Sequence, residues 1–438
     1  MDMLTYLKEI IDLTPFVGTP ALSGVRHNPL KLKRAQFEAL FPQPLLPAAY
    51  YVDGYKLEGE SGGLGNHPLH LAGGCYFQEP SAMSAVTALG VQNGDKVLDL
   101  CAAPGSKATA LATLDPDGMI VANEIHPKRA QILLSNMERM GVSNALITRS
   151  DAATLANAFG SYFDKILVDA PCSGEGMFRK YPEILRDWTE ELVQMCAARS
   201  REILEHAAEM LRPGGRLVYS TCTFNTEENE KNVLDFLKAH PEFSVAEHGI
   251  KDAQPGRLGL DGAARIFPDE NGEGHFVCAL QKSENAPDNI VKLQGFTQEC
   301  KALAQAQHLL SECVNLPLGF YGKARDYILK EIGQNVYVIP TDLPCPQGVY
   351  LLRAGVQAAQ LKGKTYVPCH HLYTATPVER LNRSVAVNDE TALQFLRGET
   401  IKCEGKGFTG VLWNGLCLGF GKAVDGVLKN HYPKGLRI

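Results

Sequence analysis

The sequence predicts an α/β protein: a doubly wound, mostly parallel sheet in the middle of the chain, with further regions before and after it. Three observations carry that expectation. Between residues 91 and 278, apolar runs alternate with amphipathic stretches in the order VLDL, KATALATL, MIVANE, PKRAQILLSNMERM, ALITRSD, KILVDAP and RLVYSTC, the pattern of buried strands covered by helices on both faces. The turn after the first run, CAAPGS, is made of small residues, which let a ligand approach the backbone. Two later runs end in cysteines, Cys172 in LVDAPCSGEG and Cys222 in RLVYSTCTFNTEENE; thiols opening off adjacent strands share one crevice, a placement that suits a nucleophile.

Taken in order, residues 1–90 mix helical stretches with Pro- and Gly-rich loops, FPQPLLPAAY and EGESGGLGNHP, and make an N-terminal region. Residues 91–282 hold the alternating core, whose last long helix is expected to end within LRPGG at residues 211–215. The polar, proline-containing stretch KSENAPDNI at 282–290 reads as a linker. Residues 291–380 are a mixed middle region, and residues 384–438 a compact, Gly-rich tail of short strands. No internal repeat or low-complexity tract interrupts this order.

At 438 residues and 45% hydrophobic content the chain can pack at least two domains, and a charged fraction of 21% is ordinary for a globular protein. The start, MDMLTYLKEIIDLTPF, has neither a basic head nor a long apolar stretch, and no run approaches about 18 apolar residues. A cytoplasmic protein that engages no membrane is expected. Twelve cysteines without one CxxC pair exclude a zinc ribbon, a thioredoxin-type redox pair and a disulfide framework, so reduced thiols are expected. Cys369-His370-His371 lacks a second ligand pair and reads as a polar loop, with no metal. The net charge of −6 predicts no uniform attraction to nucleic acid, so local patches decide.

In residues 97–112, VLDLCAAPGSKATALA, a strand, a small-residue turn and a helix start follow one another. The free amide donors of a helix start hold a carboxylate or phosphate, and Asp99 and Lys107 make the crevice polar. Glu124 closes the second strand, where a carboxylate accepts both hydroxyls of a ribose. Asp151 closes the third and suits the exocyclic amine of adenine. Together these acids indicate an adenosine ligand with a charged tail, while each alone also suits a helix cap.

The fourth strand brings Asp169 beside that ligand, and Pro171 stiffens the loop carrying Cys172. Cytosine accepts a thiolate at C6 once N3 is protonated or strongly hydrogen-bonded. C5 then becomes nucleophilic and takes a methyl group from a sulfonium, after which a base removes the C5 proton and the thiol leaves. The chemistry needs a thiolate, an acidic group against N3 and a nearby methyl donor. Cys222 or Cys172, Asp169 and the adenosine crevice meet that need. Glu227, Glu228 and Glu230 read as stabilisers of the following helix, and the base for the C5 proton stays open between a water and Cys172.

DLCAAPGSK, DAPCSG and STCT followed by Glu-Glu resemble, in order and spacing through residues 91–280, the motifs of the Nop/Sun (NSUN) family of S-adenosylmethionine-dependent RNA cytosine-5 methyltransferases. The resemblance implies a Rossmann-like methyltransferase core with S-adenosyl-L-methionine as cofactor. It implies that Cys222 bonds to C6 and that Cys172 assists product release. It also implies a cofactor site made by Cys101, Ala102, Ala103, Pro104, Gly105, Ser106, Lys107, Glu124, Arg129, Asp151 and Asp169, with Asp169 touching the target base as well. Beside this, Lys107 and Arg129 have a plainer reading as helix-surface residues. Cys101 reads as small filler next to the ligand, and Cys75, Cys196 and Cys278, which lie in no motif, read as core.

Two stretches stand out from the acidic average. Residues 21–40 hold Arg26, Lys31, Lys33 and Arg34 against Glu38, and SGVRHNPLKL resembles the family's amino-terminal RNA-contacting element. Residues 399–438 hold Lys402, Lys406, Lys422, Lys429, Lys434 and Arg437 against Glu399, Glu404 and Asp425, a balance that suits a phosphate backbone. ALQFLRGETI, GVLWNGLCLGFGK and LKNHYPKGLR are similar to the carboxyl-terminal PUA-like module of bacterial 16S ribosomal RNA cytosine-5 methyltransferases of the RsmF type. That resemblance implies ribosomal RNA or the small ribosomal subunit as partner, at a cytosine of the decoding-region helix, for an enzyme expected to be a monomer. Transfer RNA is the rival substrate, and a non-catalytic RNA-binding ribosome-assembly factor the rival class. An amino-directed methyltransferase would carry a Pro-Pro-aromatic loop where residues 169–172 read Asp-Ala-Pro-Cys.

Overall fold

The computed structural model describes residues 1–59, 62–297, 304–315, 320–321 and 326–438. The N-terminal region contains α1 (Met3–Leu7), β1 (Gly24–His27), α2 (Arg34–Leu40), β2 (Leu45–Pro47), β3 (Gly54–Leu57), α3 (Pro68–Leu71) and β4 (Cys75–Phe77). Its strands form an antiparallel sheet in the order β2-β3-β1-β4, where the sequence predicts only helices and loops. These strands are three or four residues long, and all of β1 is buried, so no alternation of apolar and polar residues marks them.

After α4 (Ser84–Leu89) come β5 (Lys96–Asp99), α5 (Ser106–Leu114), β6 (Met119–Asn123), α6 (Pro127–Met140), β7 (Ala145–Thr148), α7 (Ala152–Phe159) and β8 (Phe163–Asp169). They are followed by α8 (Ile184–Asp187), α9 (Glu190–Met210), β9 (Leu211–Thr221), α10 (Glu230–Ala239), β10 (Phe243–Ala246), β11 (Gln254–Pro255), β12 (Ala264–Ile266) and β13 (His275–Lys282). Strands β7-β6-β5-β8-β9 run parallel in that order, and β13 joins β9 antiparallel. Both faces are covered: Leu98, Val121, Ile166 and Leu217 enter one core, and their neighbours Val97, Ile120, Leu167 and Val218 the other. Burial on both sides explains the continuous apolar runs. The strand order reverses between β5 and β8, and an open sheet binds its ligand in the crevice at such a point. One boundary differs from expectation: α9 stops at Met210, and residues 211–215 already belong to β9, next to a register shift opposite Phe163 and Lys165.

The middle region contributes α11 (Ala304–Cys313), β14 (Tyr327–Ile332), β15 (Asn335–Pro340), β16 (Leu351–Ala354), β17 (Val356–Lys362), β18 (Thr365–Pro368) and α12 (His370–Ala375). Four of its strands make the sheet β14-β15-β17-β18, while β16 pairs antiparallel with β7. A strand from beyond residue 291 therefore finishes the edge of the central sheet. Cys369-His370-His371, expected as a polar loop, opens α12 instead. His371 is buried, its Nε2 donating to the Val142 carbonyl at 3.0 Å and its Nδ1 facing Arg353 at 3.0 Å. Among the described residues no cluster of ligand-type side chains could hold a metal, no helix is long and apolar enough to cross a membrane, and all eleven cysteines are free.

The tail forms β19 (Ser384–Val387), α13 (Asp389–Leu396), β20 (Ile401–Lys402), β21 (Gly407–Trp413), β22 (Leu416–Val424) and β23 (Val427–Asn430), in sheet order β19-β21-β22-β23-β20. Helix α13 is an addition to the expected strands, and Asn388 caps it by accepting from the Thr391 amide at 2.9 Å. The two ends of the chain share one hydrophobic core: Val25, Phe37, Tyr55 and Leu69 pack with Phe395, Trp413, Leu418 and Leu428. Phe395→Ala is expected to cost about 3–5 kcal/mol and to speed amide exchange in β1 and β3 as well as in the tail. Exchange that rises in the tail alone would show that the ends fold independently.

Candidate active site

The crevice begins where β5 gives way to α5. The chain leaves the sheet still tied to both neighbouring strands, with the Leu100 amide donating to Leu167 at 3.0 Å and the Ala102 amide to Asn123 at 2.8 Å. Gly105 then takes a φ of 109°, a backbone region that L side chains rarely adopt, and α5 starts at the next residue. Asn123 braces this turn. Its Nδ2 donates to the carbonyls of Leu100 at 3.2 Å and Ser150 at 3.0 Å, and its Oδ1 accepts from the Thr148 hydroxyl and the Ser150 amide. Sequence reasoning missed this residue, although an amide closing the apolar run MIVAN was a visible signal.

Glu124 is buried at the end of β6, its Oε1 accepting from the His126 amide at 2.8 Å. Arg129 pairs with its Oε2 at 3.1 Å and donates to the Ala103 carbonyl at 2.7 Å. Arg129, half-exposed on the surface of α6, is thus also a bridge from the strand-end acid to the small-residue turn. Asp151 is exposed and caps α7, accepting from the Thr154 amide at 2.7 Å, the plainer of its two readings. Asp99 lies beneath the turn, fully buried, with no hydrogen-bond partner on either oxygen. Burial and the charge of Asp169 push its carboxyl up to about 8. An orphaned buried carboxyl, a turn of small residues and a buried acid at the second strand end fit an adenosine ligand with a charged tail. Gly105→Ala is expected to weaken binding of S-adenosylmethionine about tenfold, because a Cβ at positive φ costs about 1–2 kcal/mol and meets Leu133 Cδ1 at 3.2 Å, which shifts the turn out of its binding conformation. Titration calorimetry measures this, and unchanged affinity would show that the turn tolerates another conformation.

Strands β8 and β9 are adjacent and parallel, with Asp169 in register with Ser220. Continuing past those positions, the two loops bring the sulfurs of Cys172 and Cys222 to 3.3 Å, as the sequence placed them. Asp169 accepts from Lys107 Nζ at 2.8 Å and from the Ser220 hydroxyl at 2.8 Å, with His275 Nε2 at 3.6 Å. Burial opposes ionisation of Asp169, but Lys107 and His275 outweigh it and hold the carboxyl well below the usual carboxylate range. Lys107 is itself buried; burial works against its charge, and Asp169 more than restores it. Its helix-surface reading therefore fails. The Cys172 thiol is pushed well up by its contact with Cys222, then by burial and by Glu228, which favours its protonated form. Cys101 is partly buried beside the turn, and Cys75, Cys196 and Cys278 are core.

Two further groups differ from expectation. Glu228 and Glu230 are buried rather than stabilising a helix start from outside: Glu230 pairs with Arg265 at 2.5 Å, and Glu228 accepts from Ser173. Glu227 alone makes a helix-surface pair, with Lys231 at 2.8 Å. The basic stretch at 21–40 is not a free cationic surface. Arg26 is fully buried and donates to the Thr109 hydroxyl at 2.6 Å and the Ser106 carbonyl at 3.2 Å, bracing the start of α5. Lys31 donates to the carbonyls of Ala72 and Arg139, and burial lowers its pKa to about 7. Arg34 pairs with Asp53 at 3.0 Å, and Lys33 is exposed. By contrast, Lys402, Lys406, Lys422, Lys429, Lys434 and Arg437 of the tail are all exposed.

Known proteins match the same three parts of the chain. Residues 86–281 match the family described as 16S rRNA methyltransferase RsmB/F, residues 382–438 the methyltransferase RsmF PUA domain, and residues 3–80 the N-terminal domain of 16S rRNA methyltransferase RsmF. The ribosomal RNA small subunit methyltransferase F of Vibrio vulnificus (strain YJ016) is 32% identical over 453 residues, covering 99% of this chain and 95% of that protein. Its namesake from Escherichia coli O139:H28 is 31% identical over 437 residues, covering 95% and 90%. Among solved structures, a methyltransferase homolog from Pyrococcus horikoshii superposes with a TM-score of 0.54 at 29% identity, over 60% of this chain and 87% of that one. With likeness at this level running along nearly the whole length, through both cysteine loops and the small-residue turn, the chain belongs to the 16S rRNA methyltransferase RsmB/F family.

Proposed function

We propose that this chain methylates carbon 5 of a cytosine in 16S ribosomal RNA, in the decoding-region helix, with Cys222 as covalent nucleophile, Cys172 as the group that assists release and S-adenosyl-L-methionine as cofactor. The observation that carries the proposal is the sulfur pair 3.3 Å apart beside the Lys107–Asp169 ion pair. Cys101 to Lys107, Glu124, Arg129, Asp151 and Asp169 are the residues proposed to hold the cofactor, which when bound supplies an electrophilic methyl carbon on its sulfonium.

The ion pair divides the work on the base. An ionised Asp169 accepts hydrogen bonds and matches the exocyclic amine of cytosine; it cannot give N3 a proton. That task falls to the Lys107 ammonium, 2.8 Å away, so the acidic group expected against N3 is the lysine of the pair rather than the aspartate. Cys222 bonds to C6, making C5 nucleophilic. Once C5 carries the methyl group, loss of its proton expels the Cys222 thiolate, and return of the N3 proton to Lys107 restores the neutral ring. Cys172, kept as a thiol at 3.3 Å, is matched to protonating Cys222 as it leaves, and a water to taking the C5 proton.

A stacked cytosine must leave its helix to reach the crevice, at a cost of a few kcal/mol. The six exposed cations of the tail supply backbone contacts to offset it. Bisulfite sequencing of ribosomal and transfer RNA from cells with and without the gene tests the substrate. Loss of a small-subunit cytosine signal is the expected result; loss confined to transfer RNA would reassign the substrate, and no loss in either would contradict cytosine-5 methylation.

A further inference from the structure

Glu228 touches neither the cofactor turn nor the Lys107–Asp169 pair, and the reaction as drawn leaves it without a role. It is fully buried. Its Oε2 accepts from the Ser173 amide at 2.8 Å, and its Oε1 from the Ser173 hydroxyl at 2.5 Å and from Asn225 Nδ2 at 2.7 Å. Its own amide returns a bond to Asn225 Oδ1 at 2.8 Å. Ser173 follows Cys172 in the chain, and its hydroxyl also meets that of Thr223, the residue after Cys222, at 2.9 Å. One carboxylate therefore ties the two cysteine loops together through side chains next to both thiols. A second buried acid joins the same network: Glu175, in the Cys172 loop, accepts from the amides of Phe224 at 2.6 Å and Asn225 at 2.9 Å, and from the Asn225 Nδ2 that also serves Glu228.

Burial pushes the Glu228 carboxyl up to about 7 against the pull of its Ser173 and Asn225 donors. Keeping an acid in such a place is costly, and the bonds it makes are spent on fixing two loops that leave different strands. We propose that Glu228 is a positioning residue for the two-thiol step: its carboxylate clasps the Cys172 loop to the Cys222 loop and so sets the sulfur separation across which a proton passes. This inference rests on the cysteine roles given above. A release step that hands a proton between groups needs them within hydrogen-bond reach, and the pairing of β8 with β9 ends at Asp169 and Ser220, short of both cysteines.

Glu228→Gln keeps the size of the side chain but turns one acceptor oxygen into a donor, facing Ser173 or Asn225. Turnover is expected to fall about 100-fold, the scale of a 1 Å misplacement. The ratio of covalent RNA adduct to methylated product is expected to rise about tenfold, because release then slows more than attack. Dibromobimane, which bridges neighbouring thiols, should cross-link Cys172 to Cys222 in the wild type and several-fold less in the variant. Ser173→Ala, which removes one donor and leaves the charge, should shift ratio and cross-link in the same direction by less, and carries the test if Glu228→Gln fails to fold. An unchanged adduct-to-product ratio, or an unchanged cross-link yield, in a folded variant overturns the proposal. The cross-link needs no methyl transfer: if Cys222→Ala stays active while the cross-link still depends on Glu228, the cysteine roles fail and the clasp stands.

Discussion

Cys222→Ala should lower methyl transfer by about 10⁴-fold or more, the scale on which removing a covalent nucleophile acts. The Cys222 carbonyl is held by the Gly176 amide at 2.8 Å, a contact the substitution keeps, and the side chain is partly exposed. Loss of activity therefore reports on the sulfur rather than on the fold. Transfer of a labelled methyl group to ribosomal RNA measures it, with the melting temperature as control. A rate near that of the wild type would sink the assignment of Cys222.

Cys172→Ala should behave differently. In the proposed mechanism attack at C6 does not need the second thiol, but the departing Cys222 sulfur loses its proposed proton donor 3.3 Å away. Product formation should fall, and a covalent RNA–protein complex should accumulate toward one equivalent per enzyme. A slow band on a denaturing gel, removed by protease, reports it. If Cys172→Ala gives neither adduct nor loss of product, the release role is wrong. Adding Cys222→Ala to the same chain should abolish the band.

The central sheet was legible because parallel strands buried on both faces leave continuous apolar runs, and α6 (Pro127–Met140) coincides with the run PKRAQILLSNMERM. The thiol pair was legible because each cysteine lies just past the end of a strand, and the parallel register of those strands brings the two loops together. What escaped were features whose partners lie far along the chain. Arg26 looked like part of a basic surface because nothing local shows that its guanidinium meets Thr109 within the buried interior. Strand β16 was hidden because its partner β7 lies some two hundred residues earlier. His275, buried in the strand HFVCALQK, reveals its contact with Asp169 only when β13 lies against β9. Glu228 looked like a helix-start acid because an exposed and a buried glutamate are the same letter, and only packing decides between them.

The covalent step is the centre of the proposed mechanism, and mass spectrometry of the RNA-linked peptide tests it most directly. Cys172→Ala is incubated with its RNA and S-adenosylmethionine, then digested with nuclease and protease. The prediction is one peptide carrying a methylated cytidine nucleotide on Cys222. A nucleotide attached to any other residue, or RNA methylated with no linked peptide at any time point, would contradict it.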